Sequence, residues 1–162
     1  MTTNKHLSDR ENWQKGARLT GDAGEKNFIT SIKLYLPEYY IIDPKPKKLL
    51  IYSNNKGIKL DSKITNTQTG KCLFIEKKTG NNGGNAHERV YKYISPKLKQ
   101  KIIDEYNGVK QPFFLVFSGK TFQNQKYKDE FNLLLNEENY IIMKQGYANA
   151  YEAAIKIKEL LG

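Results

Sequence analysis

The chain has 162 residues and a mass of 18.7 kDa, one domain's worth, and its 38% apolar content excludes global disorder. Its 27 basic and 17 acidic side chains leave a net charge of +10, which favours a polyanionic partner, nucleic acid first and an anionic membrane second. One cysteine, Cys72, excludes a disulfide framework, two histidines leave no ligand set for structural zinc, and no apolar run is long enough for a membrane span or a secretory signal.

Residues 1–20 are polar and read as an N-terminal arm. Gly21–Leu36 is predicted helical, because Phe28, Ile29, Ile32, Tyr35 and Leu36 share one face at 3.6 spacing, and Pro37 stops it. Tyr39–Ile42 is a short strand, and Asp43–Lys48 (DPKPKK) a rigid basic connector. Leu49–Ser53 is short and apolar. Ile58–Thr65 alternates, and Lys71–Lys78 follows the turn Gln68-Thr69-Gly70, so these two are predicted to pair as a hairpin. Gly80–Gly84 (GNNGG) is a loop. Asn85–Asn107 is helical, with Pro96 marking a break or a second start. Phe113–Phe117 (FFLVF) reads as a fully buried strand, Gln125–Asn136 as a helix, Tyr140–Met143 as a strand and Ala148–Leu161 as an amphipathic helix. Together they predict an α/β fold with a central mixed β-sheet flanked by helices.

The hairpin carries the chemistry. Asp61 is placed on one strand and Glu76-Lys77-Lys78 on the next. Alternate strand residues share a face, so Glu76 and Lys78 point together, while Leu73, Ile75 and Lys77 point the other way. An Asp and a Glu converging across a hairpin suit a hard divalent cation, normally Mg²⁺. A lysine beside them can orient or help deprotonate a water and offset charge on a phosphate. The spacing therefore fits metal-assisted phosphodiester hydrolysis. An E-x-K in a lysine-rich strand is also what a solvated edge face looks like. Glu25 on the first helix is either a third acid or charge placed against the helix dipole.

The segment Gly84-Asn85-Ala86-His87-Glu88-Arg89 follows at a helix start. A glycine-rich approach lets backbone come close to DNA. Asparagine can pair with adenine, alanine can touch a thymine methyl, and arginine can reach purine N7. Arg89 is the sole arginine after Arg18 in a chain that otherwise uses lysine, which suits a planar fork. Lys92, Lys97, Lys99 and Lys101 follow and can meet phosphates. The competing reading is an ordinary helix start, capped by Asn85 and braced by a Glu88/Lys92 pair. His87 reads as helix surface or a phosphate contact, Cys72 as small packing on the Glu76 face, and Trp13, Tyr91 and Tyr93 as packing.

These residues resemble the type II restriction endonucleases of the EcoRI/MunI group, within the PD-(D/E)xK nucleases. Four ordered blocks carry the resemblance: Leu50–Asp61 (LIYSNNKGIKLD), Glu76-Lys77-Lys78, Gly84–Ser95 (GNAHERVYKYIS) against the family's GNAxERxxKxIS stretch, and Phe113–Phe122 (FFLVFSGKTF). The resemblance implies a restriction-endonuclease-like core, with Asp61 and Glu76 as ligands of Mg²⁺ and Lys78 as the catalytic lysine. Gly84, Asn85, Ala86 and Arg89 would form the base-reading segment, with Glu88 bracing it and Lys92 on phosphate. It further implies a homodimer on double-stranded DNA, a cognate DNA methyltransferase as functional partner and a bacterial cytoplasmic setting. Leu60 stands where the family has proline, and Lys77 where it has a small residue. The connection from Lys78 to Gly84 is short, so the segment that helps read outer bases is missing. The resulting expectation is a type II restriction endonuclease that cuts at a short palindrome containing AATT and leaves 5′ overhangs. The alternatives are a repair or junction-resolving nuclease of the same fold and a catalytically silent DNA-binding module.

Overall fold

A computed structural model describes residues 27–81 and 86–162. The expected N-terminal arm, Glu25, Gly84 and Asn85 lie outside the described residues, and so does the side chain of Ala86. Helix α1 covers residues 27–33 of the described chain and buries Phe28 and Ile32. It ends before the predicted stop at Pro37, which leaves Tyr35 off the buried face and 43% exposed.

Among the described residues, seven strands follow in two sheets. The main sheet has the order β1-β4-β5-β6-β7, with β1 at Tyr40–Asp43, β4 at Ser62–Asn66, β5 at Cys72–Thr79, β6 at Gly108–Ser118 and β7 at Tyr140–Ile142. The β1-β4-β5 half is antiparallel, and β6 and β7 continue parallel to β5. The expected mixed sheet flanked by helices is therefore present. The parallel step from β5 to β6 requires a crossover. It is made by a 3₁₀ segment, Ala86–Ile94, and helix α2, Pro96–Tyr106. Ser95 caps α2, its side chain accepting from the Leu98 N–H, and Pro96 occupies the first turn, where a missing N–H costs nothing.

Strand parity decides which side chains meet which layer. On one face Leu73, Ile75, Phe114 and Val116 pack against Phe28 and Ile32 of α1 and against helix α4 (Ala150–Leu161). On the other, Cys72, Phe74, Phe113, Leu115 and Phe117 pack against Ile102 of α2 and against Tyr127 and Phe131 of helix α3 (Gln125–Leu134). Phe117 and Phe131 stack at 4.0 Å and both are fully buried.

The predicted strand Ile58–Thr65 is two elements. β3 (Lys56–Ile58) turns back on β2 (Leu49–Tyr52) as a separate ribbon, and the chain bends at Asp61 before β4 begins. Asn54 and Asn55, at φ of 61° and 59°, make the tight turn of that ribbon. A Cβ on Gly57 would collide with the Leu49 carbonyl, so glycine is required where the two strands close up. Leu49, Ile58 and Leu60 anchor the ribbon in the core beside α2. The Tyr106 hydroxyl accepts from the Leu50 N–H at 2.8 Å and ties it to the end of that helix.

Candidate active site and nucleic-acid interface

Glu76 sits on β5, flanked by β4 and β6, 9% exposed. As parity requires, Lys78 shares its face, and Lys77 points through the sheet to the other side. There its ammonium donates to the Tyr147 hydroxyl at 2.7 Å. Asp61 arrives differently from the expectation. It lies on the bend before β4, not within a strand. Its backbone N–H donates to the Ile75 carbonyl at 3.1 Å, and its Oδ2 accepts from the Lys77 N–H at 2.7 Å. Those two bonds hold the aspartate against β5, close enough for its charge to act on the Glu76 carboxyl.

Two carboxyls in contact inside a protein cannot both ionise cheaply. Burial, then the hydrogen bond and the negative charge of Asp61, push Glu76 up from an ordinary 4.5 to about 8. Lys78 and the Tyr93 hydroxyl pull the other way. Tyr93 Oη donates to Glu76 Oε2 at 3.2 Å. The sequence predicts Tyr93 as packing, and it does pack against Phe113 at 4.7 Å between ring centroids. Its hydroxyl on the acid makes it a site residue that sequence reasoning misses. The signal is present nonetheless: a tyrosine 17 positions from the glutamate, in the very segment singled out for DNA contact.

Glu76 opens into a cleft of about 280 Å³ lined also by Gly57, Ile58, Lys59, Lys78, Arg89, Lys92 and Tyr93. Four cationic side chains thus surround one buried acid, an arrangement suited to a bound anion. Hard carboxylate oxygens are the donor set that a Mg²⁺-like cation prefers. Among the described residues no third carboxylate, histidine or cysteine joins Asp61 and Glu76.

The segment after the loop is 3₁₀, not the α-helix expected from Asn85 onward. With three residues per turn, positions i and i+3 eclipse. His87, Val90 and Tyr93 form the buried ridge, while Glu88, Arg89 and Lys92 face outward. The expected Glu88/Lys92 brace needs α spacing, and among the described residues the two form no ion pair. Lys92 instead lies over the Tyr93 ring at 5.2 Å. His87 is not on the helix surface. It is 4% exposed, ringed by Tyr91, Phe122, Tyr127 and Phe131, with Nε2 3.1 Å from Glu130 Oε2. Cys72 is buried as expected, its thiol directed at the Tyr106 carbonyl. On α2, Lys101 is paired with Glu105 at 2.8 Å.

A mixed sheet carrying an acid and a lysine on one face, under a basic cleft, is the frame of the restriction-endonuclease fold. The crystal structure of MunI restriction endonuclease in complex with cognate DNA has that same fold. It superposes at a TM-score of 0.70 with 24% identity, covering 96% of this chain and 100% of that one. No curated protein sequence matches significantly. The profile of the type II restriction enzyme MunI family matches residues 1–156, and the chain belongs to that family. It is accordingly a site-specific deoxyribonuclease.

Proposed function

We propose that the protein cuts duplex DNA at a short palindrome with an AATT core, in the presence of Mg²⁺, and leaves 5′ overhangs. The observation that supports this best is the buried Glu76, with Asp61 beside it, facing a cleft lined also by Lys59, Lys78, Arg89 and Lys92. Asp61 and Glu76 would hold the cation. When bound, it polarises a phosphoryl oxygen and acidifies water.

The remaining roles belong to side chains of the chain itself. Lys78, on the Glu76 face, orients the attacking water and offsets charge that develops on the phosphate. Lys59 and Lys92 hold flanking phosphates, which fixes register without reading sequence. Arg89 is exposed at the cleft and suited to purine N7, with Asn85 and Ala86 matched to adenine and to a thymine methyl. Glu88 leaves the same outward surface to brace that cluster. The short link from Lys78 to Gly84 limits reading of outer bases, so AATT alone or with loosely read flanks is the site. One catalytic centre per chain and a palindromic site together call for a homodimer, each copy cutting one strand. A methyltransferase of the same specificity would protect host sites.

Digestion of a known plasmid with Mg²⁺, followed by sequencing of the fragment ends, tests the reading. Ends sharing AATT support it. Structure-dependent cuts would instead indicate a junction-resolving nuclease.

A further inference from the structure

The ridge His87–Val90–Tyr93 is fixed by a polar bond at each end. Tyr93 is held by Glu76 of β5, and His87 by Glu130 of α3. The bond joins the imidazole Nε2 to a Glu130 carboxyl oxygen at 3.1 Å. The ring is enclosed by four aromatic neighbours whose centroids lie 5.1–6.1 Å away. An apolar cage has no need of an imidazole, and a phenyl ring would fill it as well. What imidazole adds is one directed bond to a half-exposed carboxylate on another helix. A 3₁₀ segment has poorer internal hydrogen bonds than an α-helix, so its orientation depends more on the contacts it makes outside itself. Rotation would carry Arg89, two residues on, away from the cleft it lines.

We propose that His87, through Glu130, is a positioning residue for sequence discrimination: it sets the rotation of the segment that presents Arg89. The inference rests on the reading of that segment as the base-contacting one. Tyr93 secures the opposite end beside the acid pair, so loosening the His87 end changes which sites are cut more than how fast the best site is cut.

The test compares cleavage of an AATT-containing duplex with duplexes altered at one base of that core, at fixed Mg²⁺, for four variants beside the wild type. His87→Phe keeps the ring and removes the bonding nitrogen. Glu130→Leu removes its partner oxygen, and Glu130→Gln retains an amide oxygen that can accept. Phe122→Leu loosens the cage but leaves the bond. Expected is a roughly tenfold or greater fall in the cognate-to-altered ratio for His87→Phe and Glu130→Leu, the scale on which one bidentate arginine–base pair discriminates. The kcat on the cognate duplex should stay within about threefold, since the Tyr93 end is untouched. Glu130→Gln should restore discrimination, and Phe122→Leu should lower the melting temperature while keeping it. Unchanged ratios in both His87→Phe and Glu130→Leu overturn the inference and leave the proposed function standing. A discrimination loss in Phe122→Leu that tracks melting temperature across the set also overturns it, by showing a purely structural role. Wild-type cleavage with no preference for AATT overturns the reading beneath it, and the inference with it.

Discussion

Replacing Glu76 by Gln should abolish cleavage and yet make the protein more stable in alkaline solution. Glu76 is 9% exposed, lies beside Asp61, and is pushed up to about 8 in the folded chain from an ordinary 4.5. Between those values the native state binds a proton that the unfolded state has released. Stability from this group is therefore complete below pH 4.5, falls as pH rises, and levels off above pH 8. Each pH unit in that window is worth about 1.4 kcal/mol, which sets a ceiling of ~5 kcal/mol. The cleft admits water, and Lys78 lies on the same face, so a gain of about 2 kcal/mol is expected for Glu76→Gln at pH 9. That corresponds to roughly 4–8 °C in melting temperature for a chain of this size. Gln carries no charge at any pH, and every other titrating group is common to the two proteins. The difference between them should accordingly vanish near pH 4.5 and grow through neutrality. Thermal or urea unfolding in a chelator, at steps from about pH 4.5 to about pH 9, reads this directly. A difference that stays flat with pH would refute the argument, because the buried acid would then impose no proton-linked cost. Addition of Mg²⁺ near pH 8 should reverse the order, since a cation that binds the folded wild type stabilises it by mass action and has no complete site in the variant.

Lys78→Ala should lower the cleavage rate by several orders of magnitude while leaving DNA affinity in Ca²⁺ within a few-fold, measured by single-turnover kinetics and mobility shift. Tyr93→Phe removes the hydroxyl that holds the Glu76 carboxylate, so Glu76 should titrate at still higher pH, and the Mg²⁺ concentration for half-maximal cleavage should rise. A pH titration of the carboxyl by NMR, without metal, checks the direction. Phe131→Ala empties a fully buried site stacked on Phe117 and should cost about 3–5 kcal/mol in urea unfolding; a loss under ~1 kcal/mol would contradict the packing described. DNA affinity should fall steeply with salt, as each neutralised phosphate releases counterions, and a flat plot of log affinity against log salt would exclude DNA as the main partner.

Alternation along β5 is enough to put Glu76 and Lys78 on one face and Leu73, Ile75 and Lys77 on the other, because a strand's side-chain period is fixed by its backbone. The run Phe113–Phe117 likewise announces a buried central strand, and its alternate residues do face two separate helix layers. The GNAHER stretch points to a nucleic-acid segment through residue types alone. Tertiary structure decides the rest. Ile58, Leu60 and Ile64 alternate as a strand would, but β3 is drawn off to pair with β2, and the bend this leaves is what brings Asp61 against β5. No local period encodes that, since it depends on Gly57 letting two backbones close together. The 3₁₀ segment differs from an α-helix by a fraction of a residue per turn. Over nine residues that is enough to swap Glu88/Lys92 pairing for a His87–Val90–Tyr93 ridge. Whether that ridge finds partners rests on Glu130, 43 positions beyond His87, and on Glu76, 17 before Tyr93. Local sequence sets the period and the chemistry of each element. The bonds that turn a surface histidine into a buried strut, and a packing tyrosine into a partner of the buried Glu76, exist only once the sheet has carried distant segments together.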